Sequence, residues 1–206
     1  FKNHMSQKTE QDDMKKKVLS TGIRVGTAIK TKFMLPFIVN TSPEGLYILD
    51  LDITMKRIDT AITFVKKFDI NRVIVCSGRS YAKTPIEKFC EVTGAKMMFG
   101  RFMPGTLTNP SLPFYTEPQL VIISDPQVDS QAITEATNAG IPVIGIANTD
   151  NVTSKLDLVV PANNRGRKAL ATVYWLLARG ILEDPSAMTY EIDDFETKTS
   201  EVEEEL

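Results

Sequence analysis

From Gly45 onward the chain alternates short apolar runs with stretches whose apolar positions recur at helical spacing. Leu46-Tyr47-Ile48-Leu49 is too brief for a helix and is bounded by Pro43-Glu44-Gly45 and Asp50, so it reads as a buried strand. A helix should follow from Thr54, with Ile58, Ala61, Ile62 and Val65 inward and its end near Lys66-Lys67. Val73 to Cys76 is the next strand, and Pro85 to Val92 the next helix, stopped by Gly94 where a left-handed cap is wanted. Lys96 to Phe99 and Leu120 to Ile123 are strands three and four. A helix around Asp129 to Asn138 ends at Gly140, and Pro142 to Ile146 and Leu158 to Val160 complete the strands. Asn163 or Asn164 should cap a last helix carrying Ala169, Leu170, Val173, Leu176, Leu177 and Ile181 on one face. Strands apolar on both faces and alternating with helices predict a three-layer α/β fold, a mostly parallel sheet with helices on both faces. Ligands of such sheets gather at the carboxyl ends of the strands, which should bring the loops after Leu49, Cys76, Phe99, Ile123 and Ile146 to one edge.

Burial explains one of these loops poorly. Gly100 to Pro110 holds two prolines and three further residues, Gly100, Gly105 and Asn109, suited to turns, which excludes a regular helix or a central strand. Phe102, Met103 and Leu107 can anchor it, while Arg101, Thr106, Thr108 and Asn109 offer a cation and neutral hydrogen-bonding groups suited to phosphate and sugar oxygens. Further cations point the same way. Lys30 and Lys32 edge an irregular segment; Arg79 and Lys83 stand at or before a helix start; Arg165, Arg167 and Lys168 put three cations in four residues at the opening of the last helix.

The totals sharpen this pattern. The 206 residues carry a formal charge of −2, but Glu183 to Leu206 alone carry −9, leaving a body of +7 over residues 1–182. A basic body suits a polyanionic partner. The expected organisation is a mobile arm over 1–17, an α/β domain over 18–182 and a solvent-exposed acidic tail over 183–206 that discourages unspecific RNA contact. No run approaches the roughly 20 apolar residues of a membrane span, and no secretory signal is visible, so a soluble, cytoplasmic chain is expected. Cys76 and Cys90 lie among apolar residues and His4 is the lone histidine, so neither a disulfide framework, a resident metal nor imidazole catalysis is expected, and no cofactor or small-molecule substrate.

An enzymatic alternative rests on Asp50-Leu51-Asp52-Ile53-Thr54 after a strand, joined by Ser77-Gly78 after the next, an order that resembles the haloacid-dehalogenase-like phosphatases. That resemblance implies Asp50 as nucleophile, Asp52 as general acid/base and Ser77 on the phosphate. Asp125 and Asp129 would hold magnesium, with Lys96 as the neutralising cation. Asp125 is followed by Pro126 rather than by a second carboxylate, and Asp52 and Thr54 equally suit a helix start.

The ordered set Arg101 to Asn109, Glu117 to Pro126, Gln131 to Ala136, Gly140-Ile141-Pro142-Val143 and Asn163 to Lys168 resembles a different family. It is that of the universal second protein of the small ribosomal subunit, in its archaeal and eukaryotic branch, whose animal members are laminin-receptor-like. The resemblance covers about Leu19 to Leu182. It implies a flavodoxin-like sheet without catalytic activity, bound to small-subunit ribosomal RNA near the head–body junction, beside other small-subunit proteins. Arg24 stands where that family usually has histidine, and the bacterial coiled-coil insertion has no room between the first strand and its helix.

Overall fold

The computed structural model describes residues 14–182, 184 and 188–198. Among these residues seven strands are formed: β1 (Ile38–Thr41), β2 (Tyr47–Leu49), β3 (Val73–Ser77), β4 (Lys96–Phe99), β5 (Leu120–Ile123), β6 (Val143–Ala147) and β7 (Leu158–Pro161). Four helices accompany them, α1 (Leu51–Val65), α2 (Lys83–Thr93), α3 (Ser130–Asn138) and α4 (Arg167–Ile181), preceded by a helical segment over 14–20. The main sheet is wholly parallel in the order β4-β3-β5-β6-β7. Numbered within the sheet, that is the flavodoxin-like order 2-1-3-4-5, whose switch point falls between β3 and β5.

The alternation of side chains along each strand divides the core. Val73, Val75, Leu120, Ile122, Ile144 and Ile146 pack with α1, α2 and α4. Ile74, Cys76, Val121, Ile123 and Val143 face α3, and there Leu107 and Phe102 from the long β4–β5 connection take the place of a second helix. Tyr174 of α4 is fully buried, and its hydroxyl meets Ser124 Oγ at 2.6 Å, so the helix is tied to the end of β5 by a polar contact as well as by packing. Gly94 caps α2 with φ of 86°, a backbone state that favours glycine.

Four expectations need correction. Leu46 to Leu49 does not join the parallel sheet: β2 pairs antiparallel with β1, and its other side meets Val25. A four-residue apolar run specifies burial but not its partner, and here the hairpin covers the β6–β7 end through Met34, Leu49 and Phe37. The last four residues of the supposed arm, 14–17, are helical and lead into Val18, which is buried as part of the domain; residues 1–13, including His4, lie outside the described residues. Neither asparagine side chain caps α4. Gly166 is the cap residue, Asn163 Oδ1 accepts from the amides of Arg165 and Gly166 in the preceding turn, and Asn164 is buried beneath it. The acidic tail is not solvent-exposed throughout its described residues, 184 and 188–198. Ile192 and Phe195 are buried against α2 and α4, Thr197 is buried with its hydroxyl on the Tyr81 carbonyl, Trp175 donates to the Tyr190 carbonyl and Tyr190 donates to Glu91. The charge sum hid this spacing of apolar residues. Glu191, Asp193 and Asp194 do remain exposed between them.

Candidate nucleic-acid interface

The parallel strands end together, and the loops after β3, β4, β5, β6 and β7 form one edge. At the β7 flank, the segment carrying Lys30 and Lys32 is stitched to the loop after β6: Thr31 donates its amide to the Thr149 carbonyl at 2.9 Å and its hydroxyl to the Asn151 carbonyl at 2.8 Å. Arg165 forms an ion pair with Asp150 of that same loop, and Arg167 and Lys168 open α4 beside it. Five of the cations singled out in the sequence therefore gather on one flank. The Lys30 ammonium lies 4.8 Å from the centre of the Tyr47 ring, on an exposed residue.

At the opposite flank stands the β4–β5 connection. Its Arg101, Thr108 and Asn109 are exposed, whereas Thr106 is buried and spends its hydroxyl on the Met103 carbonyl at 2.6 Å. Thr106 is thus a fastening of the loop rather than a contact for RNA. Asn109 Oδ1 accepts from the Ser111 amide, and the loop closes where the Thr116 amide donates to the Thr106 carbonyl at 2.9 Å. Lys83 sits nearby, 5.9 Å from the centre of the Phe99 ring. Four strand spacings separate the flanks, roughly 19 Å.

The centre of the edge is polar and mostly buried. Arg79 donates from Nε to Asp125 Oδ2 at 2.7 Å, and Nη2 approaches the same oxygen at 2.5 Å. Arg79 is therefore committed to a buried carboxylate and is not an open phosphate contact. Asp125 Oδ1 accepts from Asn151 Nδ2 at 3.3 Å, and Asn151 Oδ1 accepts from Asn164 Nδ2 at 3.0 Å and from the Asn148 amide at 2.7 Å. This relay joins the loops after β3, β5, β6 and β7. Asp129 closes it on the other side, accepting from the Gly78 amide at 2.7 Å. Burial pushes Asp129 up to about 7, opposed by the Gly78 and Asp125 amides and reinforced by the Asp125 charge.

Glu135 holds the loop flank. This buried carboxylate on α3 accepts from the Gly105 amide at 2.8 Å, the Leu107 amide at 3.2 Å and Gln131 Nε2 at 2.9 Å. Burial acts to raise it, but the Gly105 amide, Gln131 and the Leu107 amide outweigh that and hold it below its ordinary range. The sequence reading passed over Glu135, although an acid on the same helical face as Ala132 and Ala136 was the available signal. It also missed Asn148 and Asn151, whose role depends on contacts made across the edge.

The phosphatase arrangement is not assembled. Asp50 ends β2, outside the parallel sheet, and its carboxylate caps α1 by accepting from the Asp52 and Ile53 amides. Asp52 pairs with Lys15, Asp125 is held by Arg79, and Lys96 begins β4 at the opposite edge of the sheet from Ser77. Among the described residues, no group of three or more histidine, cysteine or carboxylate side chains is placed to hold a metal ion.

The sequence model of the family described as Ribosomal protein S2 matches residues 18–112 and 113–184. The chain is 70% identical to the small ribosomal subunit protein uS2 of Nitrosopumilus maritimus (strain SCM1), over 97% of this chain and 99% of that one. It is 55% identical to the uS2 of Cenarchaeum symbiosum (strain A), over 94% and 97% of the two chains. It is 50% identical to that of Thermofilum pendens (strain DSM 2475 / Hrk 5), over 80% and 77%.

Proposed function

Since the chain belongs to the ribosomal protein S2 family, we propose that it is a structural constituent of the small ribosomal subunit that binds small-subunit ribosomal RNA. The observation that carries this reading is the match across the entire α/β domain to relatives of nearly the same length. Contact near the head–body junction, beside other small-subunit proteins in the cytoplasm, extends the same reading. The role is architectural rather than enzymatic.

The edge suits that task. Phosphates attract cations without regard to sequence, and each neutralised phosphate releases counterions. Lys30, Lys32, Arg165, Arg167 and Lys168 supply the charge at one flank, and Arg101, with neutral Asn109 and with Thr108, whose hydroxyl also bonds Glu135, supplies orientation at the other. Arg167 and Lys168 add to the field of the α4 amino terminus, which favours an anion.

Binding of the purified full chain to small-subunit ribosomal RNA across a salt series tests the assignment. For the triple variant Arg165→Ala, Arg167→Ala, Lys168→Ala, the slope of log affinity against log salt should fall by roughly 2 to 3 units. A triple variant with the wild-type slope and normal subunit incorporation would make these cations a solvated face. Magnesium-dependent hydrolysis of a phosphomonoester, abolished by Asp50→Asn, would overturn the ribosomal reading itself.

A further inference from the structure

At the switch point, where β3 parts from β5 and open α/β sheets hold their ligands, lies a cleft of about 490 Å³ bounded by Gly78, Gly100, Arg101, Phe102, Val128 and Asp129. Its size suits one nucleotide rather than a helix. Gly78 is not in the left-handed region, so its backbone does not demand glycine. The space does: a Cβ there would stand 2.8 Å from Val128 Cγ1 and 3.4 Å from Asp129 Oδ1. Val128, 47% exposed, and half-buried Phe102 both line the cleft and give it apolar wall. Arg101 at the lip is exposed and makes no hydrogen bond or ion pair among the described residues. Asp129 Oδ2 has only a long contact, 3.4 Å from the Asp125 amide, and so retains capacity to accept. The Gln131 amide nitrogen is spent on Glu135, which leaves its oxygen as a second acceptor beside the same cleft.

We propose, resting on the RNA-binding reading above, that this cleft receives one unpaired nucleotide of the ribosomal RNA. Its base lies between Phe102 and Val128, its exocyclic amine donates to Asp129 and Gln131, and its phosphate rests on Arg101. Adenine, cytosine and guanine carry such an amine. Uracil offers a single N–H flanked by carbonyls, which would face the same acceptor oxygens. Apolar walls for the face of a base and acceptors for its edge are how proteins read splayed nucleotides.

The test is base-specific chemical probing of small subunits reconstituted with the full chain. One unpaired adenosine, cytidine or guanosine should be protected by the wild-type chain. It should become about tenfold more reactive with Val128→Trp, which fills the cleft from an exposed position, while co-sedimentation persists. Protection that ignores Val128→Trp, or that falls on a uridine, overturns the assignment. Free adenosine monophosphate shifting the Gly78 and Gly100 amide resonances, with no protected RNA nucleotide, would make the cleft a free-nucleotide pocket and equally overturn it. A wild-type chain that does not co-sediment at all removes the ribosomal reading and this assignment together.

Discussion

Asp129 and Glu135 sit on one turn and the next of the same helix region, both almost wholly buried, yet their carboxylates are pushed in opposite directions. Glu135 gathers three N–H donors from the loop flank and its own helix. Asp129 receives one short bond, one long one and a neighbouring negative charge. Burial alone therefore does not decide the protonation of a carboxylate; the count of donors aimed at it does. The loop flank is fastened by a charge the fold favours, and the centre by a charge the fold resists.

The largest effect should appear in the pH dependence of Asp129. Its folded pKa, about 7, stands above the unfolded value, so its contribution is fully present below about pH 4 and is lost as pH rises through about 7. Relative to Asp129→Asn, the wild-type chain should lose up to about 4 kcal/mol between those limits. Urea unfolding of both chains from pH 4 to 8 measures this, and parallel curves would mean that Asp129 titrates normally. Glu135 should behave in the reverse sense. Its lowered pKa gives stability that is present above the ordinary glutamate range and lost as pH falls through the folded value. Glu135→Ala, which strands the Gly105 and Leu107 amides, should cost about 3 kcal/mol. Hydrogen exchange should then quicken at Gly105, Leu107 and Thr116 but not at Thr31, and uniform quickening would deny the two flanks their independence. A smaller effect is expected from Gly105→Val. Gly105 has φ of 91°, and a Cβ would stand 2.6 Å from Leu112 Cδ1. A β-branched residue there should cost about 2 kcal/mol and weaken subunit incorporation while leaving the salt slope nearly unchanged, because no charge is removed. A flattened slope would show that the loop contributes more charge to binding than Arg101 alone.

Much of this architecture was legible in the residues. The strands β3, β5 and β6 are continuous apolar runs because both of their faces are covered, and the sequence pattern reports that directly. The partner of β2 was not legible, since three hydrogen-bonded residues carry no information about which sheet receives them. The cations at the start of α4 announced themselves by clustering. Their arrangement with Lys30 and Lys32 did not, because it depends on Thr31 reaching Thr149 and Asn151, 118 and 120 positions away. Arg79 looked like a phosphate contact for the same reason that it is not one: the carboxylate it neutralises lies 46 residues further on. Thr106 was read from composition as a ligand group, whereas only the loop's closed backbone reveals that it points inward.

The strap over residues 188–197 gives the molecule a front and a back. Met14 touches Arg179 near the far end of α4, whereas Thr197 donates to the Tyr81 carbonyl, just beyond the end of β3. Along α4 alone, the twelve residue steps from Arg167 to Arg179 cover about 18 Å. The described chain therefore begins on the side away from the cations and finishes on theirs. A fluorophore attached at position 14 would lie behind a bound RNA, while one attached at position 198 would share its face. Labels at these two positions are thus not interchangeable reporters, and energy transfer to a labelled RNA would distinguish them.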